Sequence, residues 1–287
     1  MKLHLGQFFL SRAVLTCAVA CLLGSHVSFG APVFSYSFPA SWNGTGTAIV
    51  DQSAAAHNGV TNATLALSAS VPPGVAAGTQ SISTTGGGIV TSAAQLLTNP
   101  IIAAAGGYAY DVDFFWDGTD STSNGHVQKI IDYAGTESLQ LTTTAGSAQL
   151  AFIFTTQGVS PAPDTAIGPA ATIVPNTWYQ VHAEFDTLGD VVAGDGSLAG
   201  FANLSVTNLT TPGSPDQSGL AVTKTTYGDT LNRPIGIGEL GSTFGHIVFL
   251  RGQIYNPSVS LVPEPASLVL LSLAGILGVA RRQRLLA

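Results

Sequence analysis

From residue 108 the chain alternates with a period of two. Tyr108, Tyr110, Val112, Phe114 and Trp116 are interleaved with Ala109, Asp111, Asp113 and Phe115, which predicts a strand with one apolar and one polar face. The pattern returns at Tyr179, Val181, Ala183 and Phe185, set against Gln180, His182 and Glu184. Shorter apolar runs predict strands at 129–133, 138–142, 149–155, 201–209, 234–238, 246–251 and 254–255. Turn residues such as Ala134-Gly135-Thr136 and Ala145-Gly146-Ser147 separate them. No amphipathic helix of useful length is expected in between. Many short strands with a turn every ten or so residues predict an all-β protein, a two-sheet antiparallel sandwich.

The two ends follow other rules. Lys2 and Arg12 precede the apolar run 13–24, and Ser28-Phe29-Gly30 offers small residues at positions −3 and −1. This predicts a signal peptide over 1–30, cleaved after Gly30. At the other end Pro263-Glu264-Pro265 precedes the apolar run 266–280 and the basic stop Arg281, Arg282 and Arg284. As a helix, 15 residues span about 22 Å, short of the roughly 30 Å of bilayer hydrocarbon. The segment is expected to be a short transmembrane anchor. The order of parts in 262–287 resembles the PEP-CTERM sorting signal. That resemblance implies a Gram-negative host and an exosortase-type membrane enzyme acting near the Pro-Glu-Pro motif.

Between these signals lies 31–261, read as one domain, since no linker, charge block or repeat divides it. It holds 15 acidic and four basic residues, a formal charge of −11 against −7 for the whole chain. That balance excludes nucleic acid as the expected partner and is compatible with calcium or a neutral polysaccharide. Both cysteines, Cys17 and Cys21, fall in the leader, so the mature protein is expected to have neither thiol nor disulfide.

Within the domain, Asp51-Gln52-Ser53 through His57-Asn58-Gly59 resembles the first loop of laminin-G-like, concanavalin A-like jelly rolls. The strand ending in Trp116, the entry Asn176-Thr177-Trp178-Tyr179-Gln180-Val181 and the closing segments 235–238, 244–247 and 253–256 fit the same family in order and spacing. The resemblance implies a jelly-roll sandwich and makes Asp51 a candidate calcium ligand. The family's loop glycines are replaced here by Ala54-Ala55-Ala56.

Candidate chemistry is sparse. Asp117-Gly118-Thr119-Asp120-Ser121 offers oxygen ligands, so Asp117 and Asp120 are further calcium candidates. Trp42, in Ser41-Trp42-Asn43-Gly44, is the aromatic expected to be exposed for stacking on a sugar. Gly236-Ile237-Gly238-Glu239-Leu240-Gly241 has dinucleotide-motif spacing but leads into a strand rather than a helix. Asp111 and Asp113 share a strand face, yet jelly-roll glycoside hydrolases use a Glu-x-Asp-x-x-Glu pattern. No catalytic residue is therefore assigned, and a polysaccharide hydrolase is the third reading. First comes an exported, exosortase-sorted surface or matrix protein with a structural or adhesive role in exopolysaccharide or biofilm. Second comes a calcium-assisted, lectin-like carbohydrate-binding module.

Overall fold

Phe152 lodges between Tyr108 and Tyr110, with ring centroids 6.2 and 5.6 Å apart and edge-to-face geometry. The first residue belongs to one sheet and the other two to the sheet facing it, so these rings clasp the two layers. The computed structural model describes residues 32–38, 49–61, 65–85, 87–91, 96–97, 99–120, 127–133, 137–144, 147–155, 165–191, 198–211, 217–221, 234–238 and 249–262. The expected signal peptide, Trp42 and everything from Pro263 onward lie outside them.

Fifteen strands occur among the described residues. They are β1 (Pro32–Ser35), β2 (Gly59–Thr61), β3 (Ala66–Ser68), β4 (Ser81–Ser83), β5 (Ile89–Thr91), β6 (Gly107–Trp116), β7 (Val127–Tyr133) and β8 (Glu137–Thr144). Then come β9 (Ser147–Thr155), β10 (Thr165–Ile173), β11 (Thr177–Val191), β12 (Leu198–Asn208), β13 (Gln217–Ala221), β14 (Ile235–Ile237) and β15 (Gly252–Leu261). One sheet has eight strands in the order β13-β12-β11-β6-β15-β4-β3, with β1 also paired to β15. The other has seven, β10-β9-β8-β7-β14-β5-β2. Every pairing between named strands is antiparallel, as the sandwich reading predicts.

The alternation of β6 has the expected effect. Tyr108, Tyr110, Val112, Phe114 and Trp116 are all buried, while Asp111, Asp113 and Phe115 stay partly exposed. Val181, Ala183 and Phe185 of β11 join the same core, with Leu139 and Leu141 of β8 and Leu150 of β9 opposite. A continuous apolar layer between two sheets is the main favourable term in such a fold.

The register of β15 slips between Tyr255 and Ser258. Asn256 there adopts φ +46°, a left-handed conformation Asn tolerates better than most residues, and Pro257 has no amide proton to lose from the ladder. The freed carbonyl of Pro257 accepts a bond from Tyr36 N at 3.1 Å, which draws in the chain beyond β1.

A single helix, α1 (Asn99–Ala105), occurs among the described residues. It has two turns, too short for the sequence to show helical periodicity. Its boundaries have local causes: Pro100 suits the first turn, and Gly106 at φ +96° closes the end by donating to Ile102 O at 2.9 Å. No helix among the described residues is long and apolar enough to cross a membrane.

Candidate functional site

The polar side of the eight-stranded sheet gathers the chemistry that the sequence leaves scattered. Rows of side chains run across β15, β6, β11 and β12 because these strands pair in fixed register. One row is Ser258, Asp111, His182 and Ser205; the next is Tyr255, Asp113, Gln180 and Thr207. Ser260, Ala109, Glu184 and Asn203 form the row on one side. On the other, Phe115 and Trp178 pack together with ring centroids 5.7 Å apart. Neighbouring strands lie about 4.8 Å apart and same-face rows about 6.8 Å apart, giving a regular grid of donors and acceptors.

His182 is the electrostatic centre. Its Nδ1 lies 2.7 Å from Asp111 Oδ1 and its Nε2 3.4 Å from Glu184 Oε2. Hydrogen bonds to Asp111 and then Glu184 raise its pKa to about 10, against a smaller opposing effect of burial. The ring is therefore an imidazolium at neutral pH and donates from both nitrogens. Burial pushes Asp113 up to about 6, with the Gln180 hydrogen bond opposing and the Asp111 charge adding. Asp186 also rises to about 6, through burial and then its neighbour Glu184. The face thus carries one fixed cation among carboxyls, two of which hold protons more readily than usual. The side chains of Asp111, His182 and Glu184 are 32, 29 and 23% exposed, within reach of a ligand.

Asp51 does something else. Its Oδ1 accepts from Ser35 N and Ser53 N at 2.9 and 2.8 Å, and its Oδ2 from Ser53 Oγ and His57 N, both at 2.7 Å. Burial alone would raise its pKa, but these donors hold it below the usual carboxylate value. With four donors on two oxygens, the carboxylate fixes its own loop to β1, and Asn58 Oδ1 completes the ring by accepting from Asp51 N at 3.1 Å.

Asp117 and Asp120 are likewise engaged locally. Asp117 Oδ1 accepts from Thr119 N at 2.7 Å, and Asp120 accepts from the Thr143 hydroxyl. Thr119 O receives Trp116 Nε1 at 3.1 Å and Gln128 Nε2 at 2.8 Å, so the turn is held to the core. The structure does not bring this turn to Asp51. Asp51 pairs with Tyr36, which is bonded to Pro257 O, whereas Asp117 N is bonded to Arg251 O. Six residues of chain separate those two anchor points, about 20 Å if extended. Among the described residues no group of three His, Cys, Asp or Glu is placed to hold a metal ion.

Gly236 and Gly238 sit at the β14 edge of the core, and Gly238 at φ +73° approaches Thr84. Gly236 is paired within the sheet, between β5 and β7, where a dinucleotide motif would need a loop opening a helix.

Residues 261–284 match the family described as the PEP-CTERM protein-sorting motif. The chain carries a sorting signal. The motif marks it for export, for membrane anchoring through its C-terminal segment, and for exosortase processing. No curated protein matches the sequence. Among solved structures, the binding domain of botulinum neurotoxin DC in complex with SialylT is similar at 8% identity and a TM-score of 0.47. The match covers 81% of this chain and 48% of that one. The binding domain of Paraclostridial Mosquitocidal Protein 1 is similar at 10% identity and a TM-score of 0.46, covering 84% and 51%. The botulinum neurotoxin serotype D binding domain is similar at 14% identity and a TM-score of 0.42, covering 86% and 51%. The chain spans about half the length of these structures.

Alternation along the chain reveals each strand but not the cluster around His182. The signal was there: polar residues at 111 and 113 and at 180, 182 and 184. What was missing was the pairing of two strands some 70 residues apart.

Proposed function

We propose that this protein is a non-enzymatic adhesive component of the extracellular polysaccharide matrix, sorted to the cell surface by its C-terminal signal and binding glycan on the polar face of its larger sheet. The observation carrying this reading is the grid itself. Hydroxyl, amide, carboxyl and imidazolium groups at strand spacing, beside the partly exposed Phe115, suit a polyhydroxylated chain that offers both donors and acceptors. A binding role also fits the state of His182, which is protonated between two carboxylates and so is a poor general base at neutral pH.

The test is a glycan-array screen of the leaderless protein, with calcium and again with EDTA, followed by a turnover assay on every glycan bound. Selective binding that is indifferent to EDTA and weakened by Gln180→Ala supports the proposal. Binding lost in EDTA favours the calcium-assisted lectin reading instead. Release of reducing ends, abolished by Asp113→Asn, would make the protein a hydrolase. Absence of binding under both conditions would leave a matrix role without a glycan site on this face.

A further inference from the structure

The two ends of the sandwich leave it at the same place. Pro32, at the start of β1, pairs with Ser260 near the end of β15. Leu261 pairs with Tyr108, and Val262 N bonds to Gly107 O at 3.0 Å, so the fold holds the chain up to the residue before Pro263. The matched sorting motif begins at residue 261, inside that last strand. No spacer separates sandwich from signal. From Val262 to Ala266, the first residue of the apolar run, there are four residue steps, about 14 Å even when fully extended. The headgroup layer, about 6 Å thick on each side of the bilayer, takes up much of that reach.

We propose that, while the tail is anchored, the sandwich stands on the membrane on the pole where β1 begins and β15 ends, with the loops at Asp117, Asn176 and Thr211 directed away. This orientation rests on the anchoring role of the tail. β6 crosses from Gly107 at the near pole to Trp116 at the far one, ten residues or about 30 Å. At the far pole Asp117 meets Arg251, and Asn176 N bonds to Trp116 O at 2.8 Å.

Two further observations select an upright stance. The face bearing Asp111, Asp113, Glu184 and Asp186 against His182 is acidic, so an anionic lipid surface repels it and the body does not lie on that side. The β11–β12 hairpin also runs past the near pole: Asp186 is level with Gly107, and pairing continues to Val191 and Leu198. Those extra residues reach about 15 Å, similar to the tether, so the hairpin is the first part of the body to meet the lipid surface. The glycan-binding face then stands across the membrane plane and is not covered by it.

The sandwich has no cysteine of its own, which makes the test direct. In the chain without residues 1–30, which also removes Cys17 and Cys21, an environment-sensitive fluorophore is placed at Ala104→Cys on α1, near the anchored pole, or at Thr211→Cys at the opposite one. Both positions are exposed. The chain is reconstituted into phosphatidylcholine–phosphatidylglycerol vesicles containing a headgroup-linked quencher. Quenching at position 104 should exceed that at 211 by about twofold or more, since the two differ in height by tens of ångströms. A ten-residue Gly-Ser insertion between Val262 and Pro263 should remove the difference. Equal or reversed quenching in the parent chain overturns the orientation, and a difference that survives the insertion overturns the short tether as its cause. Flotation of the same samples reports on anchoring separately: a chain that fails to float with the vesicles sinks the anchoring premise as well as the orientation.

Discussion

His182 and Asp111 meet across the β6–β11 ladder with Nδ1 and Oδ1 2.7 Å apart, although 71 positions separate them in the chain. The contact is the largest cause of the raised pKa of the imidazole.

Stability should be greatest on the acid side of neutrality. A histidine whose folded pKa is raised to about 10 contributes stability that is complete below its unfolded value of 6.5 and lost as pH rises through 10. Asp113 and Asp186, raised from 3.8 to about 6, retain protons longer in the folded state and so act in the same direction between those values. Asp51 acts oppositely: its pKa is lowered, so its contribution is present above 3.8 and is lost as pH falls below it. Urea midpoints measured across pH should peak near pH 4 and fall as pH rises above it. His182→Gln should flatten the alkaline limb and Asp113→Asn part of the slope between 4 and 6. An alkaline limb unchanged in His182→Gln would refute the assignment.

Asp51→Ala should destabilise the fold by about 2–4 kcal/mol in urea denaturation, because several donors lose an acceptor at a buried site. Calcium and EDTA should leave the unfolding midpoint of the parent protein unchanged. A calcium-dependent rise that disappears in Asp117→Asn would restore a metal site at that turn.

Gly252→Ala should cost about 3 kcal/mol, at the upper end for overpacking, because the added methyl would meet the backbone carbonyl of Phe115, which cannot rotate away. Thermal unfolding provides the comparison. A neutral substitution would mean that β6 and β15 separate more easily than their pairing suggests.

Gln180→Ala removes an exposed amide from the centre of the grid without opening the core. Glycan affinity should fall about tenfold, the loss of one good hydrogen bond, while the melting temperature falls by only a few degrees, since Gln180 also bonds Asp113. Equal affinity in the variant would move the binding surface elsewhere.

Replacing Pro263-Glu264-Pro265 by Ala-Ala-Ala should leave the tail attached in the native host, visible as an intact C-terminal peptide by mass spectrometry. Removal of the tail from that variant would refute the motif as the processing signal.

The sequence by itself determined the class of fold and the address. Alternation along 108–116 and 179–185 identified strands and their apolar faces, since a strand's side chains point to opposite sides whatever its neighbours are. The sorting signal was legible because Pro-Glu-Pro, an apolar run and a basic stop act through local order. The short β1–β5 were not legible, since three or four residues carry too little periodicity, and β10 was not because Thr165–Ile173 shows no apolar/polar alternation. The same holds for the site. Only the tertiary structure could decide that Asp51 spends its carboxylate on Ser35, Ser53 and His57, that Asp117 and Asp51 lie far apart, and that Asp111, His182 and Glu184 form one cluster. Register across a sheet depends on pairing between segments remote in sequence, and a shift of one residue would send every one of those side chains to the other face.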